Sequence, residues 1–188
     1  KANPMKPRVA CGAGTDHKTL DELTSVEAII DAYRTQMAAI EAAGGQIILM
    51  ATRALPAIGA GPEEYARVYD TLIEESSAPV ILHWLGDMFD PALTGYWGAQ
   101  DVEAANGIVL DLITRHAAKV DGIKISLLDQ AHEETFRAKL PSGVRLYTGD
   151  DFNYAPLIEG DCSHYSHALL GIFAAIAPVA AQALEALA

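Results

Sequence analysis

Short apolar runs alternate with longer amphipathic stretches along almost the whole chain, and this order most strongly constrains the fold. Runs of about five residues, rich in Val, Ile and Leu, are followed by segments in which apolar residues recur every three or four positions. The runs have the length of buried strands, and the segments have the period of helices that cover them. Such an order predicts an α/β fold of parallel strands joined by crossover helices.

The predicted elements follow one another regularly. Helices are expected from Thr24, as the N-cap, to Ile40 and then over residues 62–77, 101–117, 129–139, 152–159 and 170–187. Strands are expected over residues 8–11, 46–50, 79–82, 122–125 and 144–147, with a weaker signal at 161–166. The chain therefore carries about six strand-helix units.

Two architectures share this pattern, an open doubly wound sheet and a closed TIM (β/α)8 barrel. The G-A-G-T-D turn that starts at Gly12 lacks a third glycine and a helix directly after it, so it is weak support for the doubly wound fold. We therefore predict a TIM barrel, of which this chain holds about six units corresponding to strands 3 to 8. Residues 1–188 are expected to form one partial domain, with a lid-like insertion at about 86–100, and to belong to a larger chain.

Composition argues against two classes of partner. Hydrophobic residues make up 51% of the chain and charged residues 20%, as in globular proteins with a packed core. A formal charge of -12 and the lack of a Lys/Arg cluster argue against nucleic acid. The longest apolar tract, residues 168–183, is interrupted by Gly171, Pro178 and Gln182 and is shorter than the roughly 20 residues of a spanning helix. We expect a cytoplasmic protein that does not enter membranes.

A lysine occupies the middle of the fourth predicted strand, in the stretch V-D-G-I-K-I-S-L-L-D at residues 120–129. Strand alternation places Lys124 on the face opposite Ile123 and Ile125, whose apolar side chains must pack on helices. Lys124 should therefore face the barrel interior. It is either paired with a carboxylate such as Asp150 or kept as a desolvated amine of lowered pKa that attacks a carbonyl.

Polar residues cluster just past the carboxyl ends of the predicted strands, where barrel enzymes place their catalytic groups. This set contains Thr15, Asp16, His17, Thr52, Arg53, His83, Trp84, Lys124, Ser126, Thr148, Asp150, Asp151, His164 and His167. The pattern as a whole indicates an active site at this end of the sheet.

Four segments resemble the Schiff-base class I aldolase family of dihydrodipicolinate synthase and N-acetylneuraminate lyase. They are P-V-I-L-H at 79–83, D-G-I-K at 121–124, Y-T-G-D-D at 147–151 and I-A-P at 176–178. More narrowly, the chain resembles the DUF993 branch of that superfamily. The resemblance implies that Lys124 forms the imine and that His83 occupies the position of the family's proton-relaying tyrosine. Tyr147 and Tyr165 are possible substitutes for the missing phenol.

The implied function is a lyase or aldolase that acts on a pyruvate-like or sugar-derived 2-oxo acid and needs neither metal nor other cofactor. Arg53 is expected to hold the substrate carboxylate, because the family's G-T-T-G-E type loop and its first two strands have no counterpart here. Asp150, Asp151 and His164 are the other expected substrate-binding residues.

Two other functions stay open at this point. One is a metal-dependent sugar isomerase or epimerase, with His83, Asp150, His164 and His167 as ligands. The other is a barrel that binds a sugar acid without catalysis. Trp84, Phe89, Tyr96 and Trp97, in or beside the 86–100 insertion, would line a lid or form an aromatic patch for a neighbouring subunit. A homo-oligomer is expected, because a six-stranded sheet has two unpaired edges.

Overall fold

A computed structural model describes residues 9–171 together with residues 178, 179, 182 and 185. Six parallel strands form a single sheet in the order of the sequence, and each pairs with the next. They are β1 (Ala10–Ala13), β2 (Gln46–Leu49), β3 (Val80–Leu85), β4 (Val120–Ser126), β5 (Arg145–Thr148) and β6 (His167–Ala168).

The strand order separates the two predicted architectures. A doubly wound sheet reverses its order at a switch point, whereas this sheet runs from β1 to β6 without reversal. Right-handed crossovers then place the connecting helices on one face, and the sheet curls around the other. The result is a half-barrel that is compatible with part of a TIM-like barrel, which confirms the α/β prediction.

The helices are α1 (Val26–Ala42), α2 (Ala54–Ala57), α3 (Pro62–Glu75), α4 (Val102–Arg115), α5 (Gln130–Arg137) and α6 (Tyr154–Glu159). Asp101 and Asp129, where these two helices were predicted to begin, are the N-caps of α4 and α5, and each accepts a hydrogen bond from the backbone N–H three residues later. No helix of the described residues has both the length and the apolar character needed to cross a membrane.

The local structure differs from the prediction at three places. Ser25, and not Thr24, caps α1, since its hydroxyl accepts the Ala28 N–H at 3.2 Å. The last strand is His167–Ala168 and not 161–166. Helix α2 was not expected, because four residues are too few to show a helical period. The predicted helix over 170–187 lies mostly outside the described residues.

The two faces of the sheet differ in exposure. The outer, convex face packs on the helices through buried side chains, among them Ile47, Leu49, Leu82, Trp84, Ile123, Ile125 and Leu146. On the inner, concave face, side chains are mostly half-buried, including Ile48, Lys124, Tyr147 and His167. Solvent therefore reaches part of the concave face, whereas the helices cover the convex face.

The 86–100 segment forms two 3-10 turns, Pro91–Leu93 and Tyr96–Gly98, and packs onto the helices. The Tyr96 hydroxyl accepts the Thr52 N–H at 3.1 Å, and Trp97 is fully buried with its ring 4.7 Å from that of Tyr69. Trp84 is buried as well, while Phe89 is 46% exposed. Three of the four aromatic residues thus belong to the core and not to an exposed patch, and the lid function of the segment stays a prediction.

Candidate functional site

Lys124 lies in the middle of the concave face, as strand alternation predicted. It is in register with His83 on β3 and with Tyr147 on β5, and register partners in parallel strands project from the same face. Burial lowers the pKa of the Lys124 ammonium, while the negative charge of Asp151 acts in the opposite direction. Among residues 9–171, no hydrogen bond joins the Lys124 amine to another group, so nothing there holds it in the charged form by direct contact.

His83 is 4% exposed, and its Nε2 lies 3.1 Å from the Ser126 hydroxyl on the next strand. Its Nδ1 is buried and has no hydrogen-bond partner among the residues that the structure describes. Burial, and then the positive charge of Lys124, lower the pKa of His83 to about 3. The imidazole is therefore neutral near neutral pH, and one of its two nitrogens is left without a partner.

Gly149, directly after β5, brings the following loop against Lys124. Its N–H donates to the Ile125 carbonyl at 2.8 Å. A Cβ at this position would lie 2.1 Å from Ser126 Oγ and 2.8 Å from Lys124 Cε, closer than atoms can approach. Only glycine permits this approach. It follows that Ser126 Oγ and Lys124 Cε, both beside the same point, lie within about 5 Å of each other.

The two aspartates that follow Gly149 have different environments. Asp150 is 1% exposed, and its carboxylate accepts the Phe152 and Asn153 N–H groups and the Asn153 side-chain amide, each at 2.9 Å. Asp150 thus closes its own loop and neither pairs with Lys124 nor presents a free carboxylate to a ligand. Asp151 is the acidic neighbour whose charge acts on Lys124, and within the described part of the chain its buried Oδ1 has no hydrogen-bond partner.

Arg53 and His164 lie apart from this cluster. The Arg53 side chain is 59% exposed, and its Nε lies 2.5 Å from Asp90 Oδ2, so its charge is already paired. His164 precedes β6 in a turn where its N–H donates to Asp161 at 2.8 Å. It lines a groove with Ser142 and Gly143, which precede β5, so it is at the amino ends of the strands. The prediction that His164 follows the sixth strand is wrong.

The four residues proposed as metal ligands do not meet. His83 is bonded to Ser126, Asp150 closes its loop, His164 is at the opposite end of the strands, and His167 packs its ring 5.6 Å from that of Tyr147. Among the residues that the structure describes, no group of three or more His, Cys, Asp and Glu side chains could hold a metal ion.

One family model matches this sequence, the family described as Protein of unknown function (DUF993), and the match covers residues 1–188. The chain belongs to the DUF993 family. No curated protein matches it. The site of this DUF993 protein must therefore be interpreted from its own geometry.

Sequence reasoning missed a second buried ionisable cluster in this DUF993 chain, on the convex side of the sheet. Glu133 of α5 is 2% exposed, and its carboxylate accepts hydrogen bonds from Ser166 at 2.7 Å and Thr148 at 3.0 Å. Burial raises the pKa of Glu133 to about 7. The sequence did indicate the burial of Glu133, because it lies three residues before Phe136 and therefore on the same, buried side of α5.

Proposed function

We propose that this DUF993 protein is a Schiff-base-forming lyase or aldolase that acts on a pyruvate-like or sugar-derived 2-oxo acid through an imine on Lys124. The observation that carries the proposal is a half-buried lysine in the middle of an open concave face. Burial lowers the pKa of Lys124, which increases the fraction of neutral amine, and the neutral amine is the nucleophile. The resemblance of D-G-I-K to the imine-lysine strand of class I aldolases supports the same residue.

The chemistry follows from the position of the amine. Lys124 Nζ attacks the ketone carbon of the 2-oxo acid, and loss of water leaves an iminium ion. The iminium accepts the electron pair of a neighbouring carbon-carbon or carbon-hydrogen bond when that bond breaks. Asp151, with an unpartnered carboxylate oxygen, is suited to accept a hydrogen bond from a substrate hydroxyl. Arg53 would have to leave Asp90 in order to bind the substrate carboxylate.

Borohydride trapping tests the proposal directly. The protein is incubated with pyruvate and sodium borohydride, and its intact mass is measured together with a peptide map. We expect one reduced adduct on Lys124 in the wild type and none in Lys124→Ala. Lys139→Ala, which removes an exposed lysine at the end of α5, is the matched control and should form the adduct like the wild type.

Two outcomes of the trapping experiment would contradict the proposed function. If the wild type forms no adduct with pyruvate or with a panel of sugar-derived 2-oxo acids, the proposed function is wrong. A 2-oxo acid that raises the melting temperature without any trapped adduct would indicate a binding protein. We do not propose a metal-dependent isomerase, because its predicted ligands lie apart.

A further inference from the structure

We propose that Ser126 is a catalytic residue of this site, whose hydroxyl carries the proton between the Lys124 adduct and His83. This inference rests on the proposed Schiff-base function and names the group that performs its proton transfer. His83 occupies the position of the tyrosine in the resembling family, but an imidazole cannot reproduce the reach of a phenol. The structure supplies a second hydroxyl next to it.

The position of Ser126 suits this role. It follows Lys124 by two residues on β4, so the two side chains project from the same face, with Ser126 nearer the carboxyl ends of the strands. Its Oγ lies 3.1 Å from His83 Nε2. The close approach of Gly149 places that Oγ within about 5 Å of Lys124 Cε. One hydroxyl thus lies close both to the side chain that would hold the substrate and to the imidazole that would take the proton.

The two tyrosines considered as substitutes are engaged or distant. The Tyr147 hydroxyl donates to Asp121 Oδ2 at 2.5 Å, near the amino end of β4. Tyr165 is 58% exposed and lines the groove at the amino ends of the strands. Among the described residues, it is the Ser126 hydroxyl and neither phenol that contacts His83.

The proton transfer balances without any oxidant or further reactant. In the iminium on Lys124, the carbon next to the imine carbon loses a proton to Ser126 Oγ, while the hydroxyl proton of Ser126 passes to His83 Nε2. The electron pair of the broken carbon-hydrogen bond forms the enamine double bond, and the iminium nitrogen recovers its lone pair. Reversal returns a proton to carbon. His83 is neutral before the step and can accept the proton, and a bound substrate carboxylate would offset the positive charge that disfavours its protonation.

Deuterium exchange separates this step from imine formation. Pyruvate is incubated with the protein in D2O, loss of the methyl signal is followed by proton NMR, and borohydride trapping is run in parallel. The wild type should exchange the methyl protons of pyruvate and should also form the borohydride-reduced adduct. Ser126→Ala should still be trapped, whereas its exchange rate should fall by at least about 100-fold, the usual contribution of a general acid-base group. Ser126→Thr keeps a hydroxyl and should recover part of the exchange.

A second variant guards against a purely structural effect. His83→Gln can keep a hydrogen bond to Ser126 but cannot take up the proton, so it too should be trapped yet exchange slowly. If Ser126→Ala does not fold, His83→Gln still tests the proton relay. Wild-type exchange in Ser126→Ala or in His83→Gln, or a trapped wild type that does not exchange, would overturn the relay alone. Failure of the wild type to form any adduct would overturn the proposed function and the relay together.

Discussion

Two buried ionisable clusters lie on opposite faces of the same sheet, and their hydrogen bonding differs. On the convex side, Ser166 and Thr148 together satisfy both carboxylate oxygens of Glu133. On the concave side, His83 has one unpartnered nitrogen, and the Lys124 amine makes no hydrogen bond among residues 9–171. A buried polar group without a hydrogen-bond partner lowers the stability of the folded protein. The first cluster joins elements of the fold, whereas the second is suited to receive a ligand.

The clusters should also affect stability in opposite directions as pH changes. His83 has a pKa lowered from 6.5 to about 3, so between these values the unfolded chain binds more protons and stability rises with pH. Glu133 has a pKa raised from 4.5 to about 7, so over that interval the folded protein binds more protons and stability falls as pH rises. The two single substitutions below separate these contributions.

His83→Gln should have the largest effect. It removes the group that must be neutral to be buried, so the rise in unfolding free energy between pH 3.5 and 6.5 should shrink by on the order of 4 kcal/mol. Urea unfolding at these two pH values measures it. His17→Gln, which changes an exposed histidine, should leave the rise as it is in the wild type. An unchanged pH dependence in His83→Gln would mean that the concave cluster does not disfavour protonation of this imidazole.

Glu133→Gln should change the pH dependence of unfolding free energy by a smaller amount and in the opposite direction. The decrease in unfolding free energy between pH 5 and pH 8, on the order of 3 kcal/mol for this carboxyl, should disappear because the amide does not titrate. Glu134→Gln, on the exposed side of the same helix, is the control and should keep the decrease. If both variants behave like the wild type, Glu133 is not the titrating group of the convex cluster.

Gly149→Ala should have the smallest effect on unfolding free energy of the three substitutions. Its structural effect should be confined to the concave cluster. A Cβ at this position overlaps Ser126 Oγ and Lys124 Cε, so unfolding free energy should fall by about 1–3 kcal/mol and trapping by pyruvate should weaken. Gly107→Ala is the comparison, because this exposed glycine of α4 has no atom within 4 Å of a Cβ and helix propensity predicts a gain of about 1 kcal/mol. Wild-type trapping in Gly149→Ala would show that the loop does not constrain the amine.

The fold was predictable where the sequence carries a strong local period. Strands β2 and β4 and helices α4 and α5 appeared near their predicted positions, because apolar alternation and Asp N-caps mark them. The last strand was displaced because D-C-S-H-Y-S-H has no apolar run, and this displacement put His164 at the wrong end of the sheet. For the candidate site, the face of Lys124 was predictable, since it depends only on strand alternation.

The partners of that lysine were not predictable in the same way. Asp150 was predicted as the carboxylate partner of Lys124, but Asp151 is the aspartate whose charge acts on it, because the loop that holds both has no periodicity from which side-chain direction could be inferred. The contact between His83 and Ser126 joins residues 43 positions apart and depends on the register between β3 and β4. Glu133 was missed because its two hydrogen-bond donors lie on other elements of the fold.

Local sequence patterns were sufficient to predict the alternation of strands and helices and the face on which Lys124 lies. Both follow from local backbone geometry, which repeats every two residues in a strand and every 3.6 in a helix. Only the tertiary structure brought the Ser126 hydroxyl to His83 Nε2 and close to Lys124 Cε, whereas the side-chain oxygens of Tyr147 and Asp150 are bonded elsewhere. That choice depends on strand register and on the approach of the Gly149 loop, both of which bring together groups that are distant along the chain.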